Sequence, residues 1–245
     1  MKRLASLEMQ GDVAVLTLDD GKVNPFSFDM IAAIDGCLDN VPTDRGALLI
    51  AGRPGVLSAG FDLTVVRGGS NDRLLQLVER GVGLLMRLAQ FPRPVVVECG
   101  GHCVALGAFL LLVADWRVGA RGDFRIGLNE VRNGLPLPSC FHTIAKNRIP
   151  TTWFDRAYLH AELYSPDEAI APGFLDEVVA PDMLREAAFA QARRLGDLPN
   201  PAYSVAKERD RRPLAERVMQ DFHTDALQAF RATLSEGVLE ESPAA

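Results

Sequence analysis

The chain has 245 residues and a net charge of −6, with 48% apolar and 24% charged residues. This composition is close to the soluble globular average and excludes collagen-like, disordered and disulfide-scaffolded proteins. The longest apolar run, residues 104–114, is shorter than the roughly 20 residues of a membrane-spanning helix. A mildly acidic chain also has no bulk attraction to nucleic acid. We therefore expect neither a membrane nor a nucleic acid as partner.

The predicted elements begin with a β-hairpin that turns at residues 10–12. A helix follows, with Ser27 or Asp29 as its candidate N-cap. Two short and continuously apolar segments come next, residues 47–50 and 95–97. Such runs are typical of strands that are buried on both faces.

Helical periodicity of the apolar residues predicts a helix over 72–89, and the apolar run 104–114 predicts a buried helix. Residues 116–118 are predicted to form a third strand. Strands that alternate with helices indicate an α/β core. After Pro150 the signals are mainly helical, and a short strand at 177–179 interrupts them.

A cluster of helix-breaking residues at 197–201 suggests a boundary in the chain. We assign residues 1–197 to a core and residues 198–245 to a helical C-terminal region that serves assembly. The last residues, 240–245, are expected to fray.

Two glycine-containing loops, residues 52–63 and 98–107, each leave an apolar strand and approach a predicted helix. Ligands of α/β sheets bind where strands end, and glycine lets backbone N–H groups face a ligand. The alternative interpretation is that both loops are ordinary tight connections.

The cysteines, Cys37, Cys99, Cys103 and Cys140, are too few and too irregularly spaced for a disulfide framework. The segment from Cys99 to Cys103 contains His102 but lacks a fourth ligand for structural zinc, so we expect no metal site. The N-terminal segment has no apolar region typical of a signal peptide. The expected location is the cytoplasm.

Nucleotide-binding loops and a serine-hydrolase elbow are not supported by the sequence. Ser58 is outside such an elbow because Val56 occupies the first glycine position. Glu130 lies after an apolar strand and before a turn at Gly134. From the residues alone it is either a chemically active carboxylate or a helix N-terminal carboxylate that the helix dipole stabilises.

These segments, taken together and in order, resemble the crotonase (enoyl-CoA hydratase/isomerase) superfamily over about residues 10–200. The resemblance rests on residues 56–63, 94–115, 127–135 and 165–179, the last reading S-P-D-E-A-I-A-P-G-F-L-D-E-V-V. Residues 53–64 and 126–130 are most similar to mitochondrial-type Δ3,Δ2-enoyl-CoA isomerases. Residues 101–102 and 107–111 resemble a bacterial enoyl-CoA hydratase-like subgroup.

The resemblance implies an α/β fold, a crotonase-like spiral of ββα units with a helical C-terminal region. It also implies assembly as a homotrimer or dimer of trimers, and an acyl-CoA thioester substrate without a separate cofactor. By position, the backbone N–H groups of Phe61 and Leu106 form an oxyanion hole, and Glu130 is the catalytic acid–base residue. Further substrate or coenzyme A contacts match Ala59, Gly60, Asp62, Leu63, Phe109 and Leu135.

One departure from the family decides the expected reaction. The hydratases use a second glutamate, and Phe109 occupies its position here. Hydration normally needs two carboxylates to handle a water molecule, whereas moving a double bond needs one base. The sequence therefore favours an enoyl-CoA isomerase with a single glutamate proton shuttle. The alternatives are an enoyl-CoA hydratase and a non-catalytic acyl-CoA-binding homologue, the latter suggested by Leu106 and the altered residues 135–140.

Two acidic residues at family positions are interpreted as structural, Asp62 as a helix cap and Asp115 as the end of a buried helix. Basic residues near the C-terminus are candidates for contacting a coenzyme A phosphate, or else form a solvated face. They are Lys207, Arg209, Arg211 and Arg212.

Overall fold

Parallel strand pairing organises the computed structural model, which describes residues 3–68 and 70–235 except the side chains at 227 and 229–235. The larger sheet has the order β1-β2-β3-β5-β7-β9, and only the β1-β2 pair is antiparallel. Its strands are β1 (Ala5–Gln10), β2 (Val13–Leu18), β3 (Ala47–Ala51), β5 (Val95–Cys99), β7 (Trp116–Ala120) and β9 (Glu177–Val179).

A second, parallel sheet of three short strands stands beside the first. Its strands are β4 (Gly55–Ser58), β6 (Gly101–Val104) and β8 (Ile126–Gly127). The chain passes from β3 to β4, from β5 to β6 and from β7 to β8, and the first two passages are followed by helices. This alternation is the predicted spiral of ββα units.

The helices follow this alternation and then dominate the second half of the chain. They are α1 (Phe28–Leu38), α2 (Leu63–Val66), α3 (Asn71–Ala89), α4 (Leu106–Val113), α5 (Ser139–Arg148), α6 (Thr151–Phe154), α7 (Leu184–Gly196) and α8 (Ala202–Ser235). None of the helices in the described part of the chain is long and apolar enough to cross a membrane.

The apolar strands are buried on both faces, as predicted. In β3, Leu48 and Ile50 pack into the main core with α1 and α3, whereas Leu49 packs with α7 on the other face. The predicted helix over 72–89 is α3, and Ser27, whose hydroxyl accepts a hydrogen bond from Met30 N, caps α1.

The buried helix predicted over 104–114 begins later than the sequence suggests. α4 starts at Leu106, because Cys103 and Val104 instead pair with Ile126 and Gly127 of β8. An apolar run alone does not distinguish a buried strand from the helix that follows it.

The C-terminal helix is tied to the core through a buried ion pair. α8 packs against α3 and α5, and Lys207 Nζ lies 2.5 Å from Asp115 Oδ2 and donates to the Arg93 carbonyl. The same Asp115 oxygen accepts a hydrogen bond from Val95 N. The hypothesis that Lys207 contacts coenzyme A is therefore wrong, because its ammonium is buried and paired. Asp115 is structural, as predicted.

α7 ends at Gly196 and α8 begins at Ala202, so the helix-breaking residues 197–201 connect the two helices. The boundary predicted near residue 197 stays a prediction. The assignment of residues 198–245 to assembly stays a prediction, and the tail 240–245 lies outside the described residues.

We expect Lys207→Ala to lower the free energy of unfolding by about 3 kcal/mol, because Asp115 is left buried and unpaired. The matched change Arg212→Ala, on the same helix, removes an exposed pair with Glu208 and is expected to cost below about 0.5 kcal/mol. Urea unfolding measures both. Equal effects of the two substitutions would contradict the anchoring role of Lys207.

Candidate active site

The two glycine-containing loops predicted to carry the site touch each other. A Cβ built at Gly60 would lie 2.5 Å from Ala105 Cβ and 3.2 Å from Leu106 N. Gly60 also has φ +91°, which residues with a side chain rarely adopt. Only glycine therefore allows this approach between the loop after β4 and the start of α4.

The backbone N–H of Phe61 points away from Phe26, with which Phe61 forms an isolated parallel β-bridge. Phe26 N donates to Gly60 O, and Asp62 N donates to Phe26 O, in an isolated parallel bridge. Because successive N–H groups alternate in direction along an extended chain, that of Phe61 faces the opposite side.

The N–H of Leu106 has no acceptor within its helix, since Leu106 is the first residue of α4. The preceding residue, Ala105, has φ +52° and ψ −128°, a strained conformation that costs of the order of 1–3 kcal/mol. The Ala105 N–H donates to Gly127 O at 3.2 Å, which helps to hold this conformation. The helix dipole adds partial positive charge at the Leu106 amide.

The side chains of Phe61 and Leu106 both pack against Gly81 of α3. A Cβ at Gly81 would lie 2.6 Å from Phe61 Cε1 and 3.0 Å from Leu106 Cδ2. The Leu106 side chain is therefore directed into the core, where it is 1% exposed. Its backbone amide therefore stays beside Gly60, 3.2 Å from a Cβ built there, and its role in an oxyanion hole stays a prediction.

Two buried polar side chains, those of Ser58 and Asn24, fix the backbone of the loop that carries Phe61. Ser58 Oγ donates to Asn24 O at 2.8 Å and accepts from Gly60 N at 3.1 Å. Asn24 Nδ2 in turn donates to Leu18 O and Leu57 O. Ser58 is thus part of the scaffold under Gly60.

Glu130 lies three residues after β8, which keeps its Cα within about 10 Å of Gly127 Cα. The residue is 8% exposed, and its Oε2 has no hydrogen-bond partner among the described residues. Burial raises the pKa of Glu130 to about 7, against a smaller lowering effect of the backbone at Glu130 and Asn129.

Glu130 stands at the N-terminus of a short helical turn, as the alternative interpretation has it, but its side chain does not cap that turn. A single 3₁₀ turn, Val131–Asn133, follows it, and the carboxylate makes no capping hydrogen bond. The Glu130 carbonyl accepts from Leu135 N at 2.9 Å, so the backbone after the carboxylate is fixed. The pKa of this carboxyl group is nearly neutral, and its Oε2 has no structural partner among the described residues.

Aromatic side chains surround Phe109, the residue that the sequence resemblance matches to the second glutamate of the hydratases. Phe109 is completely buried on α4, and its ring centroid lies 4.7 Å from that of Phe141 on α5. Phe141 also meets Phe61 edge-to-face at 6.4 Å. The side chains of this cluster carry neither a carboxylate nor any other polar atom.

Tyr158 is a further candidate that sequence reasoning missed. It is 8% exposed and lies in the π-helical turn Asp155–Leu159 that continues α6. Burial, and next the charge of Glu130, raises the pKa of Tyr158. In the sequence, a tyrosine at helical spacing predicts only a core residue and gives no signal of function.

The remaining predicted residues lie around these groups. Asp62 caps α2, because its Oδ1 accepts from Thr64 N at 2.9 Å, as expected. Leu63 is 53% exposed on α2, and Leu135 packs partly buried against the core. Ala59 lines a cavity of about 520 Å³ together with Lys22, Val23, Arg53, Pro54, Gly55, Val56, His102 and Val104.

The cysteines and histidines form no metal cluster in the described ranges, where no three metal-ligating side chains converge. All four cysteines are buried as free thiols. Cys99 Sγ donates to the Gly101 carbonyl, and burial raises the pKa of Cys103.

Comparison with known proteins identifies the family and the fold. A family model described as enoyl-CoA hydratase/isomerase matches residues 8–245. Enoyl-CoA delta isomerase 1 from human mitochondria is 29% identical over 234 residues, which cover 94% of this chain and 77% of that protein.

Two solved structures superpose closely. An enoyl-CoA hydratase/isomerase family protein from Pseudomonas syringae is 37% identical, with a TM-score of 0.83 over 97% of each chain. Human mitochondrial delta3-delta2-enoyl-CoA isomerase is 28% identical, with a TM-score of 0.89 over 96% of this chain and 93% of its own. The resemblance seen in the sequence is thus confirmed for fold and family. The chain belongs to the enoyl-CoA hydratase/isomerase family of enzymes and has the crotonase fold.

Proposed function

We propose that the enzyme moves the double bond of a 3-enoyl-CoA thioester to the 2-position, with Glu130 as its only acid–base residue. One observation carries this proposal: the buried carboxylate of Glu130 has a pKa of about 7 and no hydrogen-bond partner for Oε2 in the described residues. The human relative of similar structure is itself described as a delta3-delta2-enoyl-CoA isomerase.

The proposed reaction needs two proton transfers and no water. The Glu130 carboxylate removes a proton from C2 of the 3-enoyl thioester, and negative charge develops on the thioester oxygen. The protonated Glu130 then returns the proton to C4, which places the double bond between C2 and C3. A pKa near the working pH makes both protonation states of one residue accessible.

The developing charge on the thioester oxygen requires preorganised donors. We assign this role to the N–H groups of Phe61 and Leu106, which lie on touching loops. Such backbone donors stabilise the transition state by about 3 kcal/mol each. Strain at Ala105 supports this assignment, because strained backbone is concentrated at functional sites.

Phe109 favours isomerisation over hydration in this proposal. A hydratase positions water between two carboxylates, and the completely buried Phe109 ring packs against Phe141 instead. Exclusion of water also protects the enolate from solvent protonation. The cavity beside Ala59 suits the coenzyme A portion of the substrate, since the cation Lys22 is among its lining residues. A homotrimer or dimer of trimers and a cytoplasmic location stay predictions.

We expect the isomerase rate constant kcat/KM to rise about tenfold per pH unit up to pH 7 and then to level off, because only the Glu130 carboxylate accepts the C2 proton. Glu130→Gln is expected to lower kcat/KM by about 10³-fold. Spectrophotometric assays with 3-enoyl-CoA and 2-enoyl-CoA measure isomerisation and hydration separately.

The matched control for this substitution is Glu79→Gln on the exposed face of α3, which is expected to retain full activity. Full activity of Glu130→Gln would disprove the mechanism. Rapid hydration of 2-enoyl-CoA without isomerisation would instead identify a hydratase, and tight binding without turnover would identify a non-catalytic homologue.

Gly81→Ala is expected to lower kcat/KM by about 100-fold, because the added Cβ displaces Phe61 and Leu106 together. Gly83→Ala on the same helix meets no atom within 4 Å and is expected to keep activity while stabilising α3 by up to about 1 kcal/mol. Enzyme assays and thermal unfolding compare the pair. Equal activity of the two variants would contradict the role of Gly81 in positioning both amides.

A further inference from the structure

A second cavity, of about 400 Å³, opens at the carboxyl edge of the larger sheet and takes no part in the proposed reaction. Gly52 follows β3, Gly100 follows β5 and Ala120 ends β7, and all three line this cavity. Small-molecule sites have volumes of roughly 300–1,000 Å³, and α/β sheets bind ligands beyond the carboxyl ends of parallel strands.

The buried end of this cavity holds a carboxylate in an otherwise apolar strand. Glu98 is 9% exposed in β5 and points to the same face as Val96, where α7 packs. Its Oε2 lies 3.0 Å from Arg185 Nε without meeting hydrogen-bond geometry, and has no other partner among the described residues. Burying a carboxylate with incomplete hydrogen bonding costs free energy that a ligand donor would recover.

The walls and rim of the cavity have complementary chemistry. Apolar walls come from Pro54, Pro181 and the ring of Phe124, which His102 meets edge-to-face at a centroid distance of 5.6 Å. Two guanidinium groups, those of Arg53 and Arg185, stand at the more exposed side, with side-chain exposures of 35% and 49%.

The Arg53 side chain is held in place, since its Nη1 donates to Lys22 O at 2.7 Å. Arginine pairs strongly with phosphate oxygens, often through two parallel hydrogen bonds. Asp182 completes the polar lining and offers an acceptor for hydroxyl groups.

We propose that this cavity is a binding site for a nucleoside monophosphate whose base carries an exocyclic amine. The amine donates to Glu98, the base lies against Phe124 and Pro54, and the ribose hydroxyls donate to Asp182. Arg53 and Arg185 hold the phosphate. This site adjoins the cavity that we propose for acyl-CoA. The turn from Arg53 to Gly55 lines both cavities, whereas Glu98, Phe124 and Asp182 line this cavity and not the other.

The test is calorimetric titration of the full-length protein with AMP and with IMP, in the absence and in the presence of an excess of a saturated acyl-CoA. AMP presents an amine to Glu98, whereas IMP presents a carbonyl oxygen that the carboxylate repels. We expect AMP to bind at least about tenfold more tightly than IMP, because an unpaired buried acceptor loses affinity. The affinity for AMP should not change when acyl-CoA is present.

Glu98→Gln is expected to remove the preference for AMP, since the amide donates to the carbonyl of IMP. Glu186→Gln, the same change of charge on an exposed position of α7, is expected to retain it. Arg53→Gln should abolish the advantage of AMP over adenosine while keeping the preference for an amine-bearing base.

Equal binding of AMP and IMP to the wild type, or no binding of either at millimolar concentration, would overturn the proposal. Displacement of AMP by acyl-CoA would also overturn it, because the nucleotide would then occupy the substrate cavity. Isomerase activity is not a readout here, so failure of the isomerase proposal and failure of this one are distinguishable.

Discussion

The contact between Gly60 and the start of α4 is the constraint on which the candidate site depends. It brings the Phe61 and Leu106 amides, carried by separate ββα units, next to each other. Any Cβ at Gly60 would collide with Ala105, and Ala105 is itself strained. Ser58 and Asn24 fix one loop from below, and Gly127 accepts a hydrogen bond from the other.

Gly81 extends this constraint into a third element. Because the Phe61 ring and the Leu106 side chain share the space above a single glycine, α3 determines where both backbone amides stand. In this region, the packing of the apolar side chains therefore also determines the positions of the polar backbone groups. Interiors are close-packed, so a change of one methyl group there is transmitted rather than absorbed.

At Glu130, by contrast, the burial that favours function lowers the stability of the folded protein. Keeping the carboxylate buried raises its pKa to about 7, which means that the ionised form is disfavoured in the folded protein. The folded state thus loses stability as the pH rises from the ordinary value of 4.5 toward 7. The same burial gives Glu130 a pKa suited to donating and accepting a proton near neutrality.

The strands, the main helices and the candidate residues Phe61, Leu106 and Glu130 follow from sequence, because buried parallel strands and ordered family motifs leave local signals. The start of α4 does not, since strand β6 and the helix are both apolar. Gly81, Asn24 and Tyr158 act through contacts with distant segments, and neither spacing nor residue type reveals such contacts. Lys207 seemed a solvent-exposed cation because its partner, Asp115, is 92 positions away.

The most direct test of a single-base mechanism is to follow a deuterium label from C2 of a 3-enoyl-CoA during a single turnover in ordinary water. If one buried Glu130 carries the proton from C2 to C4 in a site without water, part of the deuterium appears at C4 of the 2-enoyl-CoA product. Complete loss of the label to solvent during isomerisation, or formation of 3-hydroxyacyl-CoA as the main product, would contradict it.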